Sequence, residues 1–135
     1  MKKLITLAAI LAATMILFSC RTIKEIPEEK TSAQIIQMGQ NYVGNSDFSS
    51  AEFCYNTVIE RYGSDPAIYV EAKYELGRVY LAQRKYDKAY YAFNEVLQIY
   101  DSGYSAMLPG AYKKLCNISL TQIPEKRLQE LQNKQ

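Results

Sequence analysis

Two stretches of this chain repeat each other at one constant spacing, that from Met38 to Leu76, and this repeat constrains the fold more than any other feature. The matched pairs are Met38 and Leu76, Gly39 and Gly77, Tyr42 and Tyr80, Phe48 and Tyr86, Ala51 and Ala89, Tyr55 and Phe93, Val58 and Val96, and Tyr62 and Tyr100. Small residues recur where two helices must approach closely, and aromatic residues recur where the space beside them must be filled. The pattern is typical of stacked helix pairs, in which each unit buries its apolar face against its neighbours.

A third, incomplete unit follows the two repeats. Leu115 and Cys116 stand at the places of Leu76 and Gly77, one position beyond the constant spacing. A matching second helix does not follow, and Pro124 opens a short polar helix instead. We therefore predict an all-α solenoid of two full helix-pair repeats, a partial third and a C-terminal helix.

Capping residues and apolar spacing set the helix boundaries. Thr31 and Gln34 have the Thr-x-x-Gln spacing of a capping box, and Pro66 stands near the first position of the third helix. The predicted helices cover residues 32–43, 47–62, 66–82, 86–100, 109–120 and 124–133. We assign residues 32–120 to the repeat domain and residues 121–135 to the C-terminal helix.

Residues 1–20 have the order of a secretory signal, with basic residues at Lys2 and Lys3 and an apolar stretch from Leu4 to Leu17. The stretch is shorter than the roughly 20 residues that a membrane-spanning helix needs, although a plain transmembrane anchor is the alternative. The sequence that ends at Cys20 resembles the lipobox of bacterial lipoproteins. This resemblance implies that residues 1–19 are removed as a signal peptide and that Cys20 carries the lipid, including palmitate.

The same resemblance implies a location. Arg21 follows the cysteine, whereas Asp at this place favours retention in the inner membrane, so we expect an outer-membrane lipoprotein that faces the periplasm. Residues 20–31 form the lipidated tether in this interpretation. Residues 21–30 are rich in Lys and Glu and contain Pro27, and we interpret them as solvated.

Composition argues against several kinds of function. Removing residues 1–19 takes away Lys2 and Lys3 and leaves 14 basic and 14 acidic side chains, so net charge gives no reason to expect nucleic-acid binding. The chain has no His, the commonest general base and metal ligand. We expect no enzymatic activity, no metal, no cofactor and no small-molecule substrate. Cys54 and Cys116 lie in non-neighbouring units, so we predict free, structural thiols; a thiol-redox protein would need a reactive thiol at one of them.

The repeat resembles the tetratricopeptide repeat. The residues that match its pattern in type and spacing are Leu76, Gly77, Tyr80, Tyr86, Ala89 and Phe93. Repeats of this family bind peptides or proteins, and the first helix of each unit lines a concave groove. Carried onto this chain, the resemblance implies a partner-binding groove lined by Ile36, Gln40, Val43, Tyr74, Arg78, Leu81, Lys113, Asn117 and Leu120.

Residues 32–120 further resemble the BamD-like lipoproteins of the β-barrel assembly machine, chiefly through the motif around Leu76-Gly77-x-x-Tyr80 and through Pro109-x-Ala111. The resemblance implies a protein partner, namely a barrel-assembly subunit or its substrates. A typical member has five repeats, so this chain would be a short version. The alternatives are a tetratricopeptide lipoprotein adaptor for a transporter, for a secretin or pilus, or for the Tol–Pal system.

Overall fold

The computed structural model describes residue 23 and residues 25–134, and in this part of the chain it shows a tetratricopeptide-like helical solenoid without strands. The helices are α1 (Ser32–Gly44), α2 (Phe48–Tyr62), α3 (Pro66–Ala82), α4 (Tyr86–Ile99), α5 (Ala111–Leu120) and α6 (Glu125–Gln132). None of the helices in the described part combines the length and the apolar character needed to cross a bilayer. The predicted signal peptide and Cys20 lie outside the described residues.

The predicted starts of α1 and α3 are confirmed by side-chain caps, and α2, which we predicted from residue 47, is capped by Asp47 and begins at Phe48. The Thr31 hydroxyl accepts a hydrogen bond from the Gln34 backbone, and the Gln34 side chain accepts one from the Thr31 backbone at 3.0 Å. Asp47 caps α2 through the Ser50 backbone, and Asp65 caps α3 through the Ala67 backbone at 2.8 Å. Each such cap stabilises its helix by about 1 kcal/mol.

The turn between the two helices of a unit repeats as closely as the helices do. Ser46 and Arg84 stand at the same spacing as the other repeat pairs and share a left-handed backbone, with φ of 59° and 58°. The backbone N–H of the next residue donates to the first helix in both units, from Asp47 to Tyr42 at 2.9 Å and from Lys85 to Tyr80 at 2.8 Å. The two units therefore form the same helix–turn–helix structure.

In each of the two full repeats, a glycine of the first helix packs against an aromatic ring of the second helix. A Cβ placed on Gly39 would lie 2.6 Å from the Tyr55 ring, and a Cβ on Gly77 would lie 2.6 Å from the Phe93 ring. Both rings are fully buried. These contacts confirm the predicted role of the recurring Gly and aromatic residues.

Three apolar clusters run along the solenoid. The first lies between α1, α2 and α3, and the second lies between α3, α4 and α5. A small third cluster joins Tyr90 of α4 to Ile123 and Leu131, which places α6 against α4. Arg127 of α6 reinforces this contact through two hydrogen bonds to the Asp87 carboxylate.

The link between the second and third units differs from the predicted helix ends. Regular α4 stops at Ile99, and the chain continues as a π-helical turn over Tyr100–Tyr104 and a 3₁₀ turn over Ser105–Met107. Gly103, with φ of 96°, interrupts the π-helical turn. Consequently α5 begins at Ala111, two residues after the predicted start.

The segment that precedes α1 is solvated as we interpreted it at Glu25, Pro27, Glu28 and Glu29, but not at Ile26. Ile26 is only 2% exposed and belongs to the first cluster. Arg61 of α2 donates to the backbone oxygens of Ile26 and Pro27 at 2.7 and 3.0 Å, and the Tyr62 hydroxyl donates to that of Lys30. The high charge of this segment concealed the buried side chain of Ile26, which packs in the first cluster.

Candidate protein-binding groove

The first helices of the three units form a groove from two adjoining cavities. The α1–α3 cavity, of about 390 Å³, is lined by Gln40, Val43, Gly44, Tyr55, Glu75, Arg78 and Ala82. The α3–α5 cavity, of about 490 Å³, is lined by Tyr74, Arg78, Leu81, Ala82, Leu115, Ile118, Ser119 and Gln122. Arg78 and Ala82 line both, so the two cavities adjoin along α3, and we call them together the groove.

The α1–α3 cavity is built around a buried carboxylate. Glu75 is 8% exposed, and its two oxygens accept hydrogen bonds from Arg78 at 3.0 Å and from Gln40 at 3.4 Å. A buried charge needs such partners because burial removes its hydration. Arg78 and Gln40 are themselves exposed, so they form the mouth of the cavity above Glu75.

Tyr55 enters the same cavity from α2. Its ring packs on Gly39, and its hydroxyl is buried with no hydrogen-bond partner among the described residues. Burial raises the pKa of Tyr55 well above its usual range, and the nearby Glu75 carboxylate adds to this effect. The hydroxyl therefore remains protonated at physiological pH and is an available donor.

The α3–α5 cavity combines aromatic and aliphatic side chains with the polar side chains of Arg78, Ser119 and Gln122. The Tyr74 ring packs at 5.4 Å from the Tyr112 ring, and the Arg78 guanidinium lies 5.9 Å from the Tyr74 ring centre. Leu115 is 36% exposed and Ile118 is 48% exposed on the opposite wall. Exposed apolar side chains beside a cavity favour contact with an apolar group of another molecule.

The structure brings five of the nine predicted groove residues together. These are Gln40, Val43, Tyr74, Arg78 and Leu81. Ile36 is instead a core residue of the first cluster, and Leu120 packs against the second and third clusters. Lys113 and Asn117 line a different cavity of about 600 Å³, and Lys113 pairs with Asp101 at 2.9 Å.

The placement of the third unit was wrong because α5 is rotated relative to the register that we predicted. Cys116 and Ser119 are buried, so the face toward α3 carries Leu115 and Ile118. Leu115 and Ile118 occupy the places of Arg78 and Leu81, at a spacing one residue shorter than that from Met38 to Leu76. We had predicted a spacing one residue longer than that from Met38 to Leu76. The described part of the chain has no second helix packed on α5 as α4 packs on α3, since α6 packs on α4.

Sequence reasoning missed Tyr55 and Glu75 as groove residues. One signal was present, because Tyr55 carries a hydroxyl where its repeat partner Phe93 has none. The burial of Glu75 had no comparable signal, since an acidic residue on a helix is usually solvated.

The two described cysteines are buried and free, as predicted. Cys54 lies in the first cluster and Cys116 in the second. Burial raises the pKa of the Cys116 thiol to about 12, and burial together with the Asp47 carboxylate raises that of Cys54 to about 11. Neither thiol has the lowered pKa of a reactive cysteine. No group of side chains suited to hold a metal ion occurs in the described residues.

Comparisons with known proteins agree with this architecture. Residues 70–102, which cover most of α3 and all of α4, match the family model of the tetratricopeptide repeat. A protein of Treponema pallidum (strain Nichols), described as an uncharacterized protein, is 28% identical over 116 residues that cover 84% of this chain and 46% of the relative. This chain thus spans about half the length of the curated relative that it matches. No solved structure matches the chain. The chain therefore contains a tetratricopeptide repeat within an all-α solenoid of packed helix pairs.

Proposed function

We propose that this protein is a lipid-anchored scaffold that binds protein partners in the periplasm and acts in outer-membrane protein assembly. The observation that carries the binding role is the groove, in which the first helices of three units line two adjoining cavities. The tetratricopeptide repeat is a non-catalytic protein-interaction repeat, and its match over residues 70–102 supports a scaffold.

The groove favours a polypeptide partner with two kinds of group. Leu115, Ile118 and Tyr74 form an apolar surface that suits an aliphatic or aromatic side chain. The adjoining α1–α3 cavity offers polar groups from Gln40, Glu75 and Arg78. A partner segment lying along the groove would bury its apolar side chain at one end and pair its polar groups at the other.

The setting in outer-membrane assembly rests on the resemblance to the BamD-like lipoproteins. The lipid on Cys20 would hold the repeat domain at the membrane, and two fatty chains on one residue suffice for stable anchoring. In this interpretation the partner is a barrel-assembly subunit or one of its substrates.

Mild crosslinking of the tagged protein in membranes, followed by affinity purification and mass spectrometry, tests this proposal. We expect recovery of a barrel-assembly subunit with periplasmic domains. A Leu115→Asp/Ile118→Asp double variant changes exposed residues of the groove and should lose this partner. Met107→Asp is the matched control, since Met107 is an 81% exposed apolar residue outside the groove, and it should retain the partner.

Two other results would contradict parts of the proposal. Specific recovery of a solute-binding protein, a secretin or Tol–Pal components would contradict the assembly role and leave the scaffold role standing. Equal recovery with the double variant and with wild type would show that the groove is not the binding surface.

A further inference from the structure

The Tyr55 hydroxyl is one of two buried side-chain polar groups, with the Gln83 amide nitrogen, that find no hydrogen-bond partner among the described residues. Tyr55 is fully buried and lines the α1–α3 cavity, and within residues 25–134 its hydroxyl finds no hydrogen-bond partner. An unsatisfied buried hydroxyl destabilises a folded protein, because burial removes its hydration and no hydrogen bond replaces it. The hydroxyl therefore calls for an explanation other than stability.

The second repeat shows that packing does not require this hydroxyl. Phe93 occupies the matching place in unit two, and its ring approaches Gly77 as closely as the Tyr55 ring approaches Gly39. Both aromatic residues are fully buried in their clusters. A phenylalanine at position 55 would thus fill the same space without burying an unpaired polar group.

The other polar groups of the cavity restrict what the hydroxyl can bind. Glu75 and Arg78 form an ion pair at 3.0 Å, so the cavity holds one negative and one positive charge. Because Glu75 and Arg78 already pair with each other, the cavity offers no unpaired charge to a carboxylate or an ammonium group that would lose its hydration on entry. A neutral group that both donates and accepts a hydrogen bond suits the pair best.

We propose that the α1–α3 cavity binds a neutral amide group of the partner polypeptide. In this arrangement the amide N–H donates to the Glu75 carboxylate, and the amide oxygen accepts from the Tyr55 hydroxyl. Gln40 closes the cavity by donating a hydrogen bond of 3.4 Å to Glu75. This bond is long, so it breaks readily when the amide enters. The inference rests on the proposed function, since it assumes that the groove holds a polypeptide.

Nuclear magnetic resonance titration of the full-length protein in detergent micelles tests the inference. The probes are N-methylacetamide for a backbone amide, acetamide for an Asn or Gln side chain, and acetate and methylammonium for the two charged classes. We expect an amide probe to shift the resonances of Gln40, Tyr55 and Arg78. Saturation by N-methylacetamide would identify a backbone amide as the ligand, and saturation by acetamide alone would identify a side-chain amide.

Tyr55→Phe is the decisive variant because it removes the hydroxyl and keeps the ring. We expect amide binding to weaken about three- to tenfold, the range that one hydrogen bond supplies, while the melting temperature stays equal or rises. Tyr62→Phe is the matched control, since the Tyr62 hydroxyl donates to Lys30 away from the groove. That variant should lower the melting temperature and leave amide binding unchanged.

Several results would overturn the inference. One is that wild type does not respond to either amide, and another is that it responds more strongly to acetate or methylammonium than to the amides. The inference would also fail if Tyr55→Phe bound amides as tightly as wild type, or if its melting temperature were lower than that of wild type. Because the Leu115→Asp/Ile118→Asp experiment concerns the other cavity, it separates the two proposals. Partner loss in that double variant without any amide response would leave the scaffold function standing and remove only the amide site.

Discussion

At the scale of single residues, glycines under aromatic rings decide how closely the helices of each unit pack. The side chain of Phe93 is fully buried, and a Cβ on Gly77 would lie 2.6 to 3.0 Å from three of its ring atoms. A ring held on all sides cannot move without disturbing its cluster, because protein interiors are close-packed.

Gly77→Ala should therefore destabilise the protein although alanine favours helices. We expect the free energy of unfolding to fall by about 1–3 kcal/mol, the usual cost of overpacking. The measurement is denaturant unfolding followed by circular dichroism. Gly44→Ala is the control, because no atom outside its local backbone lies within 4 Å of the added Cβ, and it should be neutral or stabilising. Equal stability of the two variants would contradict the packing described here.

The two buried thiols allow a prediction about pH. Their pKa values lie at about 11 and about 12 in the folded protein, against an ordinary value of 9.0. Since the unfolded chain loses these protons at lower pH than the folded chain does, the thiols should lower stability as pH rises above about 9. Below that pH they should stay protonated and unreactive.

Labelling with a thiol reagent checks this prediction. In a Cys20→Ala background, Cys54 and Cys116 should react at pH 8 only after denaturation. Rapid labelling of the native protein would contradict their structural role and would favour a thiol-redox function.

At the scale of the helices, the turn of each repeat holds one residue in a strained left-handed backbone conformation that the sequence did not predict. Arg84 is exposed and holds a left-handed backbone, which disfavours residues that have a Cβ. Glycine adopts this conformation without strain.

Arg84→Gly should thus stabilise the protein by about 1 kcal/mol. Thermal unfolding would show this gain as a higher melting temperature. Gln37→Gly, at an exposed position inside α1, serves as the control and should cost up to about 1 kcal/mol, since its backbone is already helical. A lowered melting temperature of Arg84→Gly would show that the arginine side chain stabilises the turn.

The sequence predicted the helices well because the caps and the repeated apolar positions are local signals. It failed where contacts between distant segments decide the outcome. The rotation of α5, which buries Ser119 and exposes Ile118, depends on packing against α3 and α4. The burial of Ile26 was missed for the same reason, because Ile26 packs against α2, which follows the whole of α1 in the sequence.

At the scale of the whole molecule, the described segments on either side of the repeats pack against the second helices. Residues 25–30 lie along α2, where Arg61 and Tyr62 hold their backbone. At the other end, α6 lies against α4 through the Tyr90 cluster and the Asp87–Arg127 pair.

This arrangement also limits the distance between the repeat domain and the proposed lipid. The Ile23 backbone N–H donates to the Ser50 hydroxyl at 3.1 Å, so the chain is attached to α2 three residues after Cys20. Three extended residues span at most about 10 Å. With lipid on Cys20, the face that contains the start of α2 would therefore lie close to the membrane surface.

Cys20→Ala tests the anchor on which this orientation depends. Because the substitution changes no residue of helices α1–α6, the variant should keep the melting temperature of the repeat domain while losing both palmitate labelling and membrane fractionation. Cys54→Ala is the matched control, since Cys54 is fully buried in the first cluster and should be inaccessible to lipidation. It should incorporate labelled palmitate like wild type even though its core is weakened. Continued palmitate incorporation by Cys20→Ala would show that another residue carries the lipid, and the proposed position of α2 at the membrane would then have no basis.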